Sequence, residues 1–384
     1  MYKDFVGFVK EIYGTNDFIP MHEPRFLGNE KKYVADTIDS TFVSSVGGYV
    51  VRFEEGVKKF TGSKHAIATV NGTAALHTAL KLAEVNSGDE VVTQPLTFVA
   101  TCNAIRYCGA EPVFVDVELD TLGLSAKSLQ YFIDINCEVR NDGRCWNKIT
   151  NKIVRACLPM HTFGFPVHLD EIKDICERYN IVLVEDAAES LGSKYKERHT
   201  GTIGKLAALS FNGNKIITAG GGGVILTNDD EIAYKAKHIT TTAKIPHKWE
   251  FVHDEMAYNY RMPNLNAALA VAQLELLPEF IKNKRQLAMK YQEWGLNNNI
   301  KFVSEPENTR SNYWLNTVVT KNKEEQIAML EYTNDNGVMT RPVWMPMHKL
   351  SMNKDCQSVE LINTDWLADR LVNVPSSVTL NIKE

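Results

Sequence analysis

At 384 residues, 44% hydrophobic and 23% charged, the chain is long enough for two or three domains and a large buried core. Its composition is neither disordered, collagen-like nor fibrous. Forty-two Lys and Arg against 47 Asp and Glu leave a formal charge of −5, which argues against a nucleic-acid binder relying on a general basic face.

Residues 1–14 carry no uninterrupted apolar stretch of signal-peptide length and no small-residue cleavage site. From about residue 55 to 230, short β-rich runs alternate with helical ones. Strands are predicted at 64–70, 90–94, 112–117, 152–158 and 181–185, with helices at 73–83, 100–108 and 169–179 between them. A glycine turn at 220–223 feeds a further strand, 224–227. Strands this short and apolar, separated by helices, read as a mostly parallel sheet covered on both faces. The polar stretch 136–151 breaks the alternation and reads as a surface excursion.

Past Arg261 the texture changes. A long helical pattern, 262–283, is expected to bend or break near Pro278. It is followed by short runs at 300–303 and 313–319, a helix at 323–336 and a polar, Pro-rich tail. This predicts a large domain over residues 1–280, the N-terminal segment included, and a smaller α+β domain over 281–384. The most apolar helical stretch, 265–277, contains Asn266, Gln273 and Glu275 and falls short of the ~20 residues that span a bilayer. Seven scattered cysteines without a C-x-x-C support neither a disulfide framework nor a cysteine zinc site, and no metal is expected. A soluble, cytoplasmic protein with no membrane or nucleic-acid partner is the expectation.

Three stretches could carry chemistry. Asn71-Gly72-Thr73-Ala74-Ala75-Leu76 follows a strand and opens a helix, where free N–H groups and the helix dipole attract phosphate. Gly72 permits close backbone approach, and the Thr73 hydroxyl can cap the helix or donate to an anion. Taken alone, the stretch also fits a plain helix start. In Val184-Glu185-Asp186-Ala187-Ala188-Glu189 an acid stands where a buried strand ends, at the carboxyl edge where such sheets bind ligands. A desolvated carboxylate there wants a cation, such as a protonated pyridine nitrogen; a helix-cap role for Asp186 is the alternative. Lys215, in Ser210-Phe211-Asn212-Gly213-Asn214-Lys215, lies in an apolar, glycine-rich setting. Burial would lower its pKa and free the amine for Schiff-base formation, although a lone lysine is ordinarily a solvated surface cation.

Taken in order, N-G-T-A-A-L (71–76), T-F-V-A-T (97–101), V-E-D-A-A-E (184–189), S-F-N-G-N-K (210–215), G-G-G-G (220–223) and Y-N-Y-R-M (258–262) resemble the DegT/StrS-type sugar aminotransferases, from about His22 to the C-terminus. The stretches H-E-P-R (22–25), S-S-V-G (44–47) and R-P-V-W (341–344) resemble members that make 4-amino sugars for legionaminic-acid-like or O-antigen glycans. The resemblance implies the α/β fold type I of aspartate aminotransferase, with pyridoxal 5′-phosphate (PLP) as cofactor and pyridoxamine phosphate as intermediate. Lys215 matches the lysine that bonds to PLP, and Asp186 the acid that keeps the pyridine nitrogen protonated. Phe98 matches the aromatic residue stacked on the ring. Gly72, Thr73, Ala74 and the Ser210 hydroxyl match the phosphate cradle. Asn259 matches an asparagine that reaches the phosphate in the other subunit, which implies a homodimer with shared active sites. Glu189 departs from the Gln or His common at its position; a carboxylate beside the phenolate side of PLP is repelled unless protonated or turned away.

The implied reaction moves the amino group of L-glutamate onto the ketone of a nucleotide-linked keto-sugar. A UDP-linked 4-keto-6-deoxy-hexose bearing an N-acetyl group is favoured, with GDP- and dTDP-linked sugars as options. Candidate substrate contacts are His161, Tyr260, Arg261, Tyr313, Arg341 and His348. A structural role for His161 and carbonyl binding by Arg341 are the alternatives there. Trp314 and Trp344 read as core residues. A PLP-dependent sugar dehydratase is a rival that Lys215 speaks against, since dehydrating relatives carry histidine there. A non-catalytic regulator is a rival that the joint presence of Asp186, Ser210 and Lys215 speaks against.

Overall fold

The computed structural model describes residues 2–380. Seven strands form the path of the main sheet: β1 (His65–Thr69), β2 (Glu90–Thr93), β3 (Glu111–Phe114), β4 (Lys152–Leu158), β5 (Val182–Asp186), β6 (Leu206–Ser210) and β7 (Gly223–Thr227). Their spatial order is β1-β7-β6-β5-β4-β2-β3. The pairs β2–β3, β2–β4, β4–β5 and β5–β6 are parallel, and β7 alone runs against its neighbours β1 and β6. The reason lies in the connection. A parallel return needs a crossover that spans the sheet, usually a helix, whereas β6 reaches β7 through the glycine-rich loop 211–222, which holds no helix. The strands are buried on both faces, which explains why β2, β6 and β7 read as apolar runs without alternation.

Residues 137–147 form a two-strand hairpin (Cys137–Val139 and Cys145–Asn147) that pairs with the start of β4, so part of the polar excursion extends the sheet. All seven cysteines are free.

The helices that frame the site and the smaller sheet are α1 (Tyr2–Tyr13), α2 (Gly72–Leu82), α3 (Val99–Tyr107), α4 (Asn264–Asn298) and α5 (Ile362–Ala368). Helix α4 does not break at Pro278; it runs on for 35 residues. An interior proline costs a helix about 3 kcal/mol. Burial on both sides of it offsets that cost: Ala267, Ala270 and Val271 join the core beside the main sheet, while Leu287 and Tyr291 join a second cluster. That second cluster is built on a four-stranded antiparallel sheet (Lys301–Phe302, Asn316–Val319, Arg341–Pro342 and Leu371–Val374). Helix α1, grouped by sequence with residues 1–280, packs its Phe5, Val6, Val9 and Tyr13 into the same cluster, against Phe302, Val318 and Val372. Among the described residues no helix is long and apolar enough to cross a membrane.

Candidate active site

A cavity of about 370 Å³ opens at the carboxyl edge of the parallel strands, and Gly72, Thr73, Phe98, Asp186, Glu189, Ser210 and Lys215 all line it. This is the edge at which open α/β sheets bind ligands. Residues from four separate strand ends therefore meet although up to 143 positions separate them (72 to 215). A larger groove of about 570 Å³ around Lys196 and Trp366 contains none of these residues.

One wall is the N-terminus of α2. Asn71 caps it, its Oδ1 accepting the Ala74 N–H at 2.8 Å. Ala74 is thus already engaged and does not line the cavity. Strand β6 comes so close here that a Cβ on Gly72 would stand 2.9 Å from Ser210 Cβ. Only glycine lets the first-turn N–H groups and the Ser210 hydroxyl share one anion seat.

Asp186 ends β5. Its Oδ2 accepts from Thr101 Oγ1 at 2.7 Å, and its Oδ1 from the Ala188 N–H at 3.2 Å. The second contact is a turn cap, the structural role the sequence offered for this residue, and it leaves the carboxylate facing the cavity. Burial raises its carboxyl above the usual aspartate range, against the Thr101 hydroxyl, the Ala188 amide and the Lys215 charge. Such a group gains from a cation brought into contact with it.

Lys215 Nζ lies 3.2 Å from Glu189 Oε1 and 4.2 Å from the centre of the Trp314 ring. Trp314 Nε1 donates to the Asn214 carbonyl at 2.7 Å, which ties the lysine loop to that ring. The other oxygen of Glu189 accepts the Phe163 N–H at 3.0 Å. Phe163 aims that N–H from a left-handed backbone, φ 55°, strain of the sort that collects at functional sites. Burial pushes the Glu189 carboxyl up to about 7, with Lys215 and the Phe163 amide opposing.

Other predicted residues stand elsewhere. His161 is fully buried outside the cavity lining. Its Nε2 is 3.0 Å from Glu185 Oε2 and its Nδ1 accepts the Val167 N–H at 3.3 Å, so neither nitrogen is left for a substrate. Glu185 and Asp186 are neighbours on β5 and point to opposite faces. Glu185 also accepts from the amides of Gly201, Ile203 and Gly204. Burial alone would raise its carboxyl; His161 and the amides outweigh burial and hold it below the usual glutamate range.

Tyr313 is buried too, its hydroxyl accepting from the Glu305 N–H at 3.2 Å and its ring packed on Phe165. Arg341 is exposed and donates to Asn334 and to the Thr340 carbonyl. His348 faces Asp365, in a turn anchored by the Met347 N–H to the Pro95 carbonyl, beside the Phe98 loop. Tyr260 stacks on Tyr258, and Arg261 donates to Asn259. That segment runs along the end of β1, where Val70 N–H meets the Tyr260 carbonyl at 2.7 Å, and it does not line this chain's cavity.

Sequence reasoning passed over Thr101, although it sits in the T-F-V-A-T motif. Trp314 joins the core, as the sequence predicts, and Trp344 packs against it, but that reading left out a second role. Both line the cavity, and Trp344 leans against Phe98 with ring centres 6.1 Å apart. Their neighbours in sequence, Tyr313 and the R-P-V-W motif, were the available signals.

The site offers an anion seat, a buried acid short of a cation and an amine. Fold and site together define an aminotransferase of fold type I. The chain belongs to the DegT/DnrJ/EryC1/StrS aminotransferase family, matched over residues 26–384. Members of that family depend on PLP. The chain is 35% identical to the GDP-perosamine synthase of Escherichia coli O157:H7, over 95% of this chain and 94% of that protein. It is 34% identical to the GDP-perosamine synthase of Vibrio cholerae, over 93% and 94%. Among solved structures, a DegT DnrJ EryC1 StrS aminotransferase from Brucella abortus superposes with a TM-score of 0.81 at 25% identity, covering 91% of this chain and 90% of that one. Helicobacter pylori PseC, an aminotransferase involved in the biosynthesis of pseudoaminic acid, shares the fold with a TM-score of 0.85 at 21% identity, covering 95% of each chain.

Proposed function

We propose that this protein binds PLP in the cavity and moves the amino group of L-glutamate onto the ketone of a nucleotide-linked keto-sugar. The observation that carries the reading is the meeting of Asp186, Lys215 and the N-terminus of α2 in one cavity. The sugar favoured by the sequence motifs is a UDP-linked 4-keto-6-deoxy-hexose with an N-acetyl group. The names of the two relatives put a GDP-linked sugar next to it.

The residues suit the cofactor in chemistry and in room. Gly72, Thr73 and Ser210 would hold the phosphate, where a side chain on residue 72 would fill the seat. Asp186 would pair with a protonated ring nitrogen, and Phe98 would cover one ring face. When bound, PLP supplies an electron sink for the carbon next to the reacting amine. The protein supplies the proton traffic. Lys215 Nζ, once neutral, takes the proton from the substrate Cα and later gives it back at a neighbouring carbon, as general base and then general acid. Trp314 and Trp344 wall the cavity, the Trp314 ring lying against that nitrogen.

A two-fold homodimer belongs to the same reading, with Asn259 of one protomer reaching the cofactor phosphate bound by its partner. So do a cofactor-binding unit of residues 1–280, apart from α1, which packs on the smaller unit of 281–384, a cytoplasmic setting, and sugar-nucleotide contacts from Tyr260, Arg261, Arg341 and His348.

The test is direct. The purified protein should absorb in the visible, lose that band on borohydride reduction, and release 2-oxoglutarate from glutamate beyond one equivalent per site only when a keto-sugar from a UDP, GDP and dTDP panel is present. Full turnover by Lys215→Ala would sink the reading. Loss of water from the sugar without 2-oxoglutarate would point to the dehydratase instead.

A further inference from the structure

We propose that Glu189 is the base that takes a proton from Lys215 when the lysine captures an aldehyde, and that it then stays in the loaded site as a neutral carboxylic acid. The inference rests on the reading of the cavity as a PLP site. It starts from the charges in that cavity. Among the described lining residues there are two carboxylates, Asp186 and Glu189, and one cation, Lys215. The Glu189 side chain is 1% exposed, and its Oε1 lies 3.2 Å from Lys215 Nζ. The Phe163 N–H fixes Oε2, so Oε1 is the oxygen turned to the amine. Charged groups that act on Glu189 are Lys215 and Asp186, of opposite sign.

Lys215 in this pair is an ammonium, which has no lone pair to attack a carbonyl. It passes one proton to Glu189 Oε1 across the existing contact, and the freed lone pair bonds to the aldehyde carbon. The two hydrogens left on nitrogen depart with the aldehyde oxygen as water, and a carbon–nitrogen double bond remains. Nothing is oxidised or reduced, and no proton is exchanged with solvent. Glu189 has then lost its cation, while Asp186 is committed to the ring nitrogen. A lone carboxylate this deeply buried is costly, and the proton removes the cost. Burial already raises this carboxyl, to about 7 with the Lys215 charge and hydrogen bond lowering it; losing both raises it further, so the proton stays. A glutamate is therefore tolerated beside the cofactor without turning away.

Cofactor-free protein loaded with PLP provides the test, with readouts independent of turnover. In infrared difference spectra, loading should create the C=O band of a protonated carboxyl in the wild type and none in Glu189→Gln. Calorimetry above pH 8, in two buffers of unlike ionisation enthalpy, should find about one more proton released per site by Glu189→Gln than by the wild type, any uptake at the ring nitrogen being common to both. Glu189→Asp, which keeps the acid with a shorter reach, should shift the band rather than abolish it; circular dichroism checks the fold of each variant. Absence of the carboxyl band on loading the wild type, or equal proton counts in wild type and Glu189→Gln, overturns the role of Glu189. A wild type that takes up no PLP overturns the cofactor reading instead.

Discussion

Thr101 Oγ1 lies 2.7 Å from Asp186 Oδ2, one helical turn beyond Phe98, so a single helix start sets both an aromatic wall and a hydroxyl under the buried acid. With its proton given to Asp186, Thr101 can only accept from Thr97 Oγ1, 2.7 Å away. The carboxylate is thus oriented before any ligand arrives. Thr101→Val keeps the shape and removes the donor. The loss of one hydrogen bond to a buried charge is worth about 1–3 kcal/mol, so PLP should bind roughly 5- to 150-fold more weakly. Equilibrium titration of the cofactor-free protein measures this, and Thr101→Ser should recover most of the affinity.

The buried pair behind the site should govern acid stability. Removing one partner of such a pair costs about 3–5 kcal/mol, so His161→Leu should unfold at markedly lower urea. The Glu185 carboxyl is held below its ordinary value of 4.5. A depressed acid stabilises the fold above its unfolded pKa, and that contribution is lost as pH falls through the folded value. Glu185→Gln should accordingly be less stable than wild type at pH 7, with the gap closing below pH 4.5. A constant gap across that range would show that the charge is not what matters.

Lys284 should do the reverse. It is fully buried in α4, where its Nζ donates to the Ser376 carbonyl, and burial lowers its pKa from 10.5 to about 7. Between those values the unfolded chain holds a proton that the folded one has given up, so stability rises with pH through that window and is lost as pH falls through it. Lys284→Met should stabilise the protein at pH 7 more than at pH 10, by up to ~3 kcal/mol. Denaturant unfolding at the two pH values checks the sign.

Asp116, at the end of the main sheet, caps a helix nearly 250 residues later. It accepts from the Asn363 and Thr364 N–H groups, each at 2.8 Å, and from Thr364 Oγ1 at 2.7 Å. These satisfy first-turn donors of α5 that would otherwise be orphaned. Asp116→Ala should destabilise the fold by about 1–3 kcal/mol and speed hydrogen exchange in α5. Unchanged exchange at residues 363 and 364 would refute the cap.

Much of the site was legible in the chain because its chemistry is local. A strand that ends in Asp, a strand that runs into Asn-Gly-Thr and a lysine in a glycine-rich loop each carry their own signal. The parallel-sheet reading then sends all of them to one edge. The periodicity of the strands likewise predicted the sheet, since burial on both faces leaves a continuous apolar run.

What the chain could not declare by itself depends on which distant surfaces come into contact. Pro278 signals a break, yet α4 stays whole because both of its halves are buried. His161 looks like a site residue until Glu185 is found against it, and the faces of β5 then separate a structural acid from a reactive one. Trp314 is as buried as a core residue, but folding lays its ring under Lys215. Helix α1 begins the sequence and packs into the last sheet. Local composition fixes which groups a segment offers; packing between segments far apart in sequence decides which of those groups lose water, meet an opposite charge and gain a reactive partner.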